Sequence, residues 1–345
     1  MKPPEPPKAL GRIAVVGGGT GLPVVLRGLK AYVGTELGEL TGVVTVTDDG
    51  GSSGRLRRDF GVLPPGDIRN CIVALSDDEA VLSKLFQYRF PAGDGLLGHS
   101  FGNLLLTALA GITGDFYQAI LTAESILSVR GKVLPATLTD GRLRARGASG
   151  KIYEGESAVG SAGEALVSVR LDPAAPAAFE PAAKALEKAD LILLGPGSLY
   201  TSILPNLLIP GILQAIRRSE APVVLVLNLM TQPGETDAMS AMDHLEALER
   251  HTGTTLVHQV LVHGGPWPEK ALRSYAQTGS APVALDPSEL ERRGIRLEKR
   301  DLLAEGELLR HDPEKLGRVV LELMAGARGA RRPVLKEIRG GRAGI

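Results

Sequence analysis

Residues 12–21 read Arg-Ile-Ala-Val-Val-Gly-Gly-Gly-Thr-Gly, and the fold class follows from them. A short β-branched run, Arg12 to Val16, ends in the loop Gly17-Gly18-Gly19-Thr20-Gly21, and a helical stretch follows with Pro23 suited to its first turn. Strand, glycine loop, helix is the opening unit of an α/β domain. The same unit recurs along the chain. Leu40 to Thr47, rich in Val and Thr, ends in Asp48-Asp49-Gly50-Gly51-Ser52-Ser53-Gly54. Asp190 to Leu194 runs into Gly195-Pro196-Gly197-Ser198, Val223 to Leu227 into Asn228 to Glu235, and Thr255 to Val262 into His263-Gly264-Gly265. Residues 66–128 predict helices, broken at Pro91-Ala92-Gly93 and around Gly111 to Gly114. Residues 131–170 alternate Val, Thr, Leu and Arg between turns at Asp140-Gly141 and Ser149-Gly150, which predicts a small antiparallel excursion from an otherwise mostly parallel sheet.

Composition narrows the classes. The 345 residues allow one large domain or two ordinary ones, enough to bury a core without disulfides. Lys plus Arg and Asp plus Glu both number 39, so the net charge is zero and no global grip on nucleic acid or anionic membrane is indicated. The single Cys71, in an apolar helical stretch, reads as a small buried hydrophobe and excludes an internal disulfide. The start, MKPPEPPKALGR, lacks an apolar signal region, and no stretch reaches the roughly 18 apolar residues of a membrane helix. The expectation is a reduced, cytoplasmic protein with no membrane span. Residues 1–10 read as a Pro-rich tail, 11–325 as the folded unit and 326–345 as a basic Gly/Arg-rich tail, a solvated terminus or a weak interaction arm. The 43 glycines, many clustered, suggest backbone lying close to a ligand.

In an open α/β sheet the ligand site lies beyond the carboxyl ends of the strands, so these loops should converge on one crevice. The first loop is neither a dinucleotide fingerprint, because Leu22 stands where the third glycine would, nor a P-loop, because no Gly-Lys-Ser/Thr follows. Its N–H groups still suit phosphate, or it is simply a tight turn. Asp48 or Asp49 can accept from ribose hydroxyls or hold Mg²⁺ against a diphosphate; a turn carboxylate is the plain alternative. Arg55, Arg57 and Arg58 supply charge nearby. Asp67 lies near the start of a helix on which Asn70 follows one turn later, so it serves as a capping residue or shares a ligand or metal with Asn70, and His99 is either a base or sugar contact or a structural residue. Asp77, Asp78 and Glu79 read as a capping and surface cluster. Gly197, Ser198, Tyr200, Thr201 and Ser202 offer glycine and hydroxyl groups suited to a diphosphate or sugar, and Asn228 belongs to a comparable loop. No nucleophile elbow or His-x-x-x-His spacing is present.

As a set, GGGTGLP, TDDGGSSGRLRRDFG, PPGDIRN, GHSFGN, GPGSLYTSILPN and LMTQPGETDAMSAMDHL resemble the YvcK-like gluconeogenesis factors, part of the larger CofD-like family whose other branch is 2-phospho-L-lactate transferase. The resemblance covers about residues 11–325, in order. It implies a Rossmann-like fold with helical additions and a nucleotide crevice. On the YvcK-like side it implies UDP-sugar binding, such as UDP-N-acetylglucosamine, and roles in growth on gluconeogenic carbon and in cell shape and wall synthesis. The transferase branch implies Mg²⁺-dependent transfer from a nucleotide-activated donor. Carried over by motif, Gly18, Gly19, Thr20 and Gly21 sit at the nucleotide with Asp48 and Asp49 beside it. Asp67, Asn70, Gly197, Ser198 and Tyr200 line the crevice, and Tyr275 and Arg310 contact the UDP-sugar. Under the transferase reading Asp48 or Asp49 holds the Mg²⁺, with Asp48 the first choice, and Asp67 or His99 is the base. An envelope or regulatory protein partner and a homo-oligomer stay open.

Overall fold

The computed structural model describes residues 10–76 and 81–327. The two expected tails lie outside them except at Leu10, Gly326 and Ala327, as does the cluster Asp77, Asp78 and Glu79. In chain order the strands are β1 (Gly11–Gly17), β2 (Leu37–Val44), β3 (Lys132–Pro135), β4 (Arg142–Gly147), β5 (Ile152–Glu154), β6 (Leu166–Asp172), β7 (Leu191–Leu194), β8 (Val223–Val226), β9 (Gln259–His263) and β10 (Arg296–Arg300). The helices are α1 (Gly21–Leu29), α2 (Gly51–Phe60), α3 (Gly66–Leu75), α4 (Val81–Gln87), α5 (Phe101–Thr113), α6 (Phe116–Ile126) and α7 (Glu156–Val159), then α8 (Glu180–Lys188), α9 (Leu204–Leu207), α10 (Pro210–Arg218), α11 (Ala241–Thr252), α12 (Glu269–Gln277), α13 (Pro287–Arg293) and α14 (Pro313–Ala327).

Seven strands form one parallel sheet in the order β10-β9-β8-β7-β1-β2-β3. Parallel strands are joined by crossovers that cover both faces, which is why IAVV, LILL and VVLV are apolar throughout rather than alternating. Ile13, Val15, Leu191, Leu193, Val224 and Val226 face one core with α1, α3 and α14. Ala14, Val16, Ile192, Leu194, Val223 and Leu225 face the other, which α8, α10 and α11 share with the inner side of a second sheet. That second sheet is antiparallel, in the order β5-β4-β6. Among the described residues no single helix is long and apolar enough to cross a membrane.

The parallel sheet with a small antiparallel addition matches the sequence expectation, with four local differences, one being that the strand expected from Thr255 begins at Gln259. Lys132–Pro135, expected in the antiparallel excursion, pairs in parallel with β2, because the run Val133-Leu134 is buried and fills the sheet edge. β2 begins and ends three residues earlier than expected, since beyond Val44 the chain leaves the ladder and Thr45 and Thr47 hydrogen-bond to each other at 3.0 Å. β10, Arg-Leu-Glu-Lys-Arg, is an edge strand with no apolar pattern to reveal it.

Candidate functional site

Strand order reverses between β1 and β7: β2 and β3 lie to one side, β8, β9 and β10 to the other. The loops after β1 and β7 therefore diverge and leave a crevice between them. Its floor is main chain. A Cβ at position 21 would stand 2.1 Å from the Pro196 carbonyl oxygen, so only glycine lets the start of α1 touch the β7 loop. A Cβ at Gly18 would meet Thr45 Cγ2 at 2.6 Å and Asp67 Oδ2 at 2.8 Å. Thr20, exposed at the N-cap of α1, makes no capping bond with its hydroxyl. N–H groups at the start of a helix with no acidic residue in its first turn leave a site of positive potential.

Carboxylates form the wall on the β2 side. Asp67 Oδ2 accepts the Gly19 N–H at 2.7 Å, occupying a donor of the β1 loop. Burial raises the Asp67 pKa to about 6; the Gly19 bond opposes that rise, and nearby Asp48 adds to it. Asp48 Oδ1 accepts from the Gly50 N–H at 2.9 Å. A Cβ on Gly66 would lie 2.8 Å from Asp48 Oδ2, so that oxygen sits over the first residue of α3. Asp49 turns away to the second sheet, where Oδ1 accepts from Ser157 N–H at 2.9 Å and Ser157 Oγ at 2.8 Å. Glu156, beside Ser157, comes back toward the crevice and accepts from Thr47 Oγ1 at 2.9 Å. Burial holds its carboxyl well above the ordinary range, with Asp67 and Asp48 adding to the rise. Glu156 escaped the sequence reading because it lies in the segment read as peripheral.

Behind this wall, GSS, GDIRN and GHSFGN meet in one polar network. The Ser52 hydroxyl lies 2.9 Å from His99 Nδ1 and accepts from Asn103 Nδ2 at 3.1 Å. Arg69 donates to Ser100 Oγ, to Asn103 Oδ1 at 3.0 Å and to Asn70 Oδ1 at 2.6 Å. Asn70 and His99 are thus held by neighbours, and burial lowers the His99 pKa. Two of the arginines expected to offer charge are engaged elsewhere. Arg57 is buried against the Gly141 carbonyl at 2.8 Å and the Asp140 carboxylate at 2.5 Å, while Arg55 donates to the Leu97 carbonyl at 2.6 Å.

The opposite wall joins the β7 and β8 loops. Asn228 clasps Gly197, accepting its N–H at 3.0 Å and donating to its carbonyl at 2.9 Å. The Ser198 hydroxyl contacts Thr201 Oγ1 and donates to Glu235, whose carboxylate also accepts the Tyr200 N–H at 2.9 Å. Burial raises the Glu235 pKa while these donors pull it back. Glu235 therefore fills the turn that the sequence offered to a phosphate. The Tyr200 ring is in the core, its hydroxyl 3.5 Å from the Leu166 carbonyl, so toward this wall Tyr200 contributes its backbone N–H.

Tyr275 lies on α12, half-buried against the small cluster of Leu229, Met230, Leu303 and Leu309 that follows β8 and β10. Arg310 is exposed in the next turn of that cluster, its carbonyl accepting from Ala304 N–H at 2.9 Å. Both belong to the carboxyl-end side of the sheet. A cavity of about 1330 Å³ lies instead at the amino ends, lined by Arg12, Asp190, Pro222, Gln259 and Arg296. Topology and the donor-rich loops favour the crevice over that cavity.

Among the described residues no three His, Cys, Asp or Glu side chains converge as a metal cage. The oxygens of Asp48 suit Mg²⁺ only in the shared manner, with one or two carboxylates completed by ligand phosphates and water.

Comparison with known proteins agrees with this architecture. The chain is 46% identical to the gluconeogenesis factor of Halalkalibacterium halodurans, covering 90% of this chain and 95% of that protein. It is 42% identical to the gluconeogenesis factor of Bacillus subtilis, over 91% and 98% of the two chains. A crystal structure of a Bacillus halodurans protein superposes with a TM-score of 0.86 at 44% identity, covering 92% of this chain and all of that one. Residues 13–303 match the family described as 2-phospho-L-lactate transferase CofD. A match of this extent, on a parallel sheet with its crevice at the β1–β7 reversal, places the chain in the CofD family, alongside its gluconeogenesis factors.

Proposed function

We propose that the β1–β7 crevice binds a UDP-sugar, with UDP-N-acetylglucosamine as the reference ligand. We further propose that the protein acts in the cytoplasm as a regulator linking that precursor to growth on gluconeogenic carbon and to cell shape and wall synthesis. The observation that carries the reading is the crevice floor, where Gly18, Gly19 and Gly21 bring main-chain donors and a helix start to the reversal of strand order. In this reading the diphosphate lies over residues 18–21 with Arg310 taking outer phosphate oxygens. Asp48 accepts ribose hydroxyls, and the Tyr275 ring stacks on uracil. The floor and walls orient a ligand, and binding shifts the populations of conformers or partner complexes. The folded ligand-binding unit is residues 11–325.

Calorimetric titration with UDP-N-acetylglucosamine, with and without Mg²⁺, tests this when the recovered ligand is weighed by mass spectrometry. Saturable binding with intact ligand supports it; absence of binding overturns it. Tyr275→Ala should weaken the UDP-sugar more than inorganic phosphate, and equal effects would sink the stacking role.

A second reading is favoured by the carboxylates Asp48, Asp67 and Glu156 crowded at one wall: a transferase acting on a nucleotide-activated donor, with Asp48 sharing Mg²⁺ with its phosphates. Release of free nucleotide when an acceptor is supplied with the nucleotide-activated donor would establish it. Asp48→Asn then abolishes turnover with little loss of binding. Under the regulatory reading it weakens binding by about 1 to 3 kcal/mol, the cost of ribose hydroxyls left unpaired.

A further inference from the structure

The outer face of the second sheet is rich in arginine. β4 runs Arg142-Leu143-Arg144-Ala145-Arg146, with Leu143 and Ala145 buried and the three arginines turned outward. Across the ladder Arg144 stands opposite Arg170 of β6 on one side and Glu154 of β5 on the other. Arg144 takes both carboxylates of this face, Glu154 at 2.9 Å and Asp172 at 3.4 Å. Arg142, Arg146 and Arg170 are exposed and have no ion pair among the described residues. Ile152 and Val167, 50% and 41% exposed, flank them. Like charges directly opposed on one sheet face destabilise a strand pair; Glu154 and Asp172 offset that at Arg144, and among the described residues no carboxylate does so at Arg170.

We propose that this face is a docking surface for an extended acidic segment of a partner protein, whose carboxylates are taken by Arg142, Arg146 and Arg170. The spacing sets the register. Arg142 and Arg146 are four residues apart on one side of a strand, about 13 Å. An extended segment laid along β4 repeats that spacing, so its side chains i and i+4 fall over the two arginines. Its residue i+2 falls over Arg144, already neutralised. Charge pattern also selects the partner class. A nucleic acid or an anionic bilayer is a continuous sheet or line of negative charge and would meet Glu154 and Asp172; discrete carboxylates avoid them. Exposed Ile152 and Val167 give such a segment apolar contact, and Arg rather than Lys is the cation typical of protein interfaces.

The test is independent of the crevice ligand. A fluorescein-labelled extended peptide with glutamates at every fourth position among Thr, Val and Leu is titrated against the whole chain, followed by anisotropy. The same titration is run on R142Q/R146Q/R170Q and on R142E/R146E/R170E. Binding should weaken about tenfold in the glutamine variant, a few-fold for each exposed pair, and vanish in the glutamate variant. It should also fall as salt is raised, and a peptide with the same glutamates clustered should bind more weakly. All three substituted side chains point outward, so unchanged circular dichroism and melting confirm that the variants fold. Equal binding by the three proteins overturns the proposal, as does equal binding of the clustered peptide. Tighter binding of a single-stranded DNA or of phosphatidylglycerol vesicles through the same arginines overturns the partner class.

Discussion

Replacing Asp67 by Asn removes the charge held at the β1 loop, and its effect on stability follows from the site. Asp67 is 8% exposed, and burial raises its pKa from 3.8 to about 6. A carboxyl whose folded pKa is raised favours the fold while protonated, and that contribution is lost as pH climbs from about 4 through about 6. A rise of this size corresponds to about 3 kcal/mol of cost borne by the ionised native state. The net rise already contains the Gly19 bond, and the substituted amide still offers an oxygen to that N–H. The variant should therefore be about 3 kcal/mol more stable than the parent at pH 8, with about half of that advantage gone at pH 5. Urea denaturation of both proteins at the two pH values, with chelator present, measures it. A difference that is flat with pH, or an Asp67→Asn variant less stable at pH 8, would refute the argument that burial dominates at Asp67.

Three other substitutions or probes follow from particular contacts. Gly21→Ala places a methyl 2.1 Å from the Pro196 carbonyl and must separate the β1 and β7 loops, so it should cost at least about 2 kcal/mol and reduce UDP-sugar binding in the same titration. Unchanged stability would mean the loops part freely. Asp49→Ala removes the acceptor of both Ser157 bonds, so amide exchange should speed up over residues 152–160 with a loss of about 1 to 2 kcal/mol, while exchange in β1 stays slow. Cys71 is buried on α3 and burial raises its thiol pKa well above the ordinary value, so Ellman's reagent should label it only at the rate of unfolding; rapid labelling of the native protein would contradict its place in the core.

Much of this architecture was legible because parallel strands advertise themselves. RIAVV, LILL and VVLV, each ending in glycine or asparagine, located β1, β7 and β8 and hence the crevice. What the sequence hid has two physical origins. β10 lies at a sheet edge, where burial on both faces no longer forces an apolar run, and β3, though buried, is a four-residue strand at the start of the alternating segment 131–170, so composition did not distinguish them. Within the site, residue type showed which groups could bind a ligand but not which were already taken. Arg57 looked like a phosphate ligand until Asp140 claimed it, Glu235 occupies the turn beside Ser198, and Asp49 faces the second sheet. Glu156 reaches the crevice from more than a hundred residues beyond Thr47, a pairing no local pattern encodes.

The main-chain floor at Gly21 and Pro196 bears on how proteins of this shape diverge. Peptide groups are the same whatever the sequence, so under the proposed function the floor would read an anion without reading what is attached to it. Discrimination would then fall to side chains on separate segments, such as the proposed contacts Tyr275, on its small cluster after β8, and Arg310. Substitutions there leave the β1 and β7 loops of the floor untouched. A lineage can thus exchange one nucleotide-linked ligand for another, or chemistry for sensing, by changing the rim while the floor stays fixed.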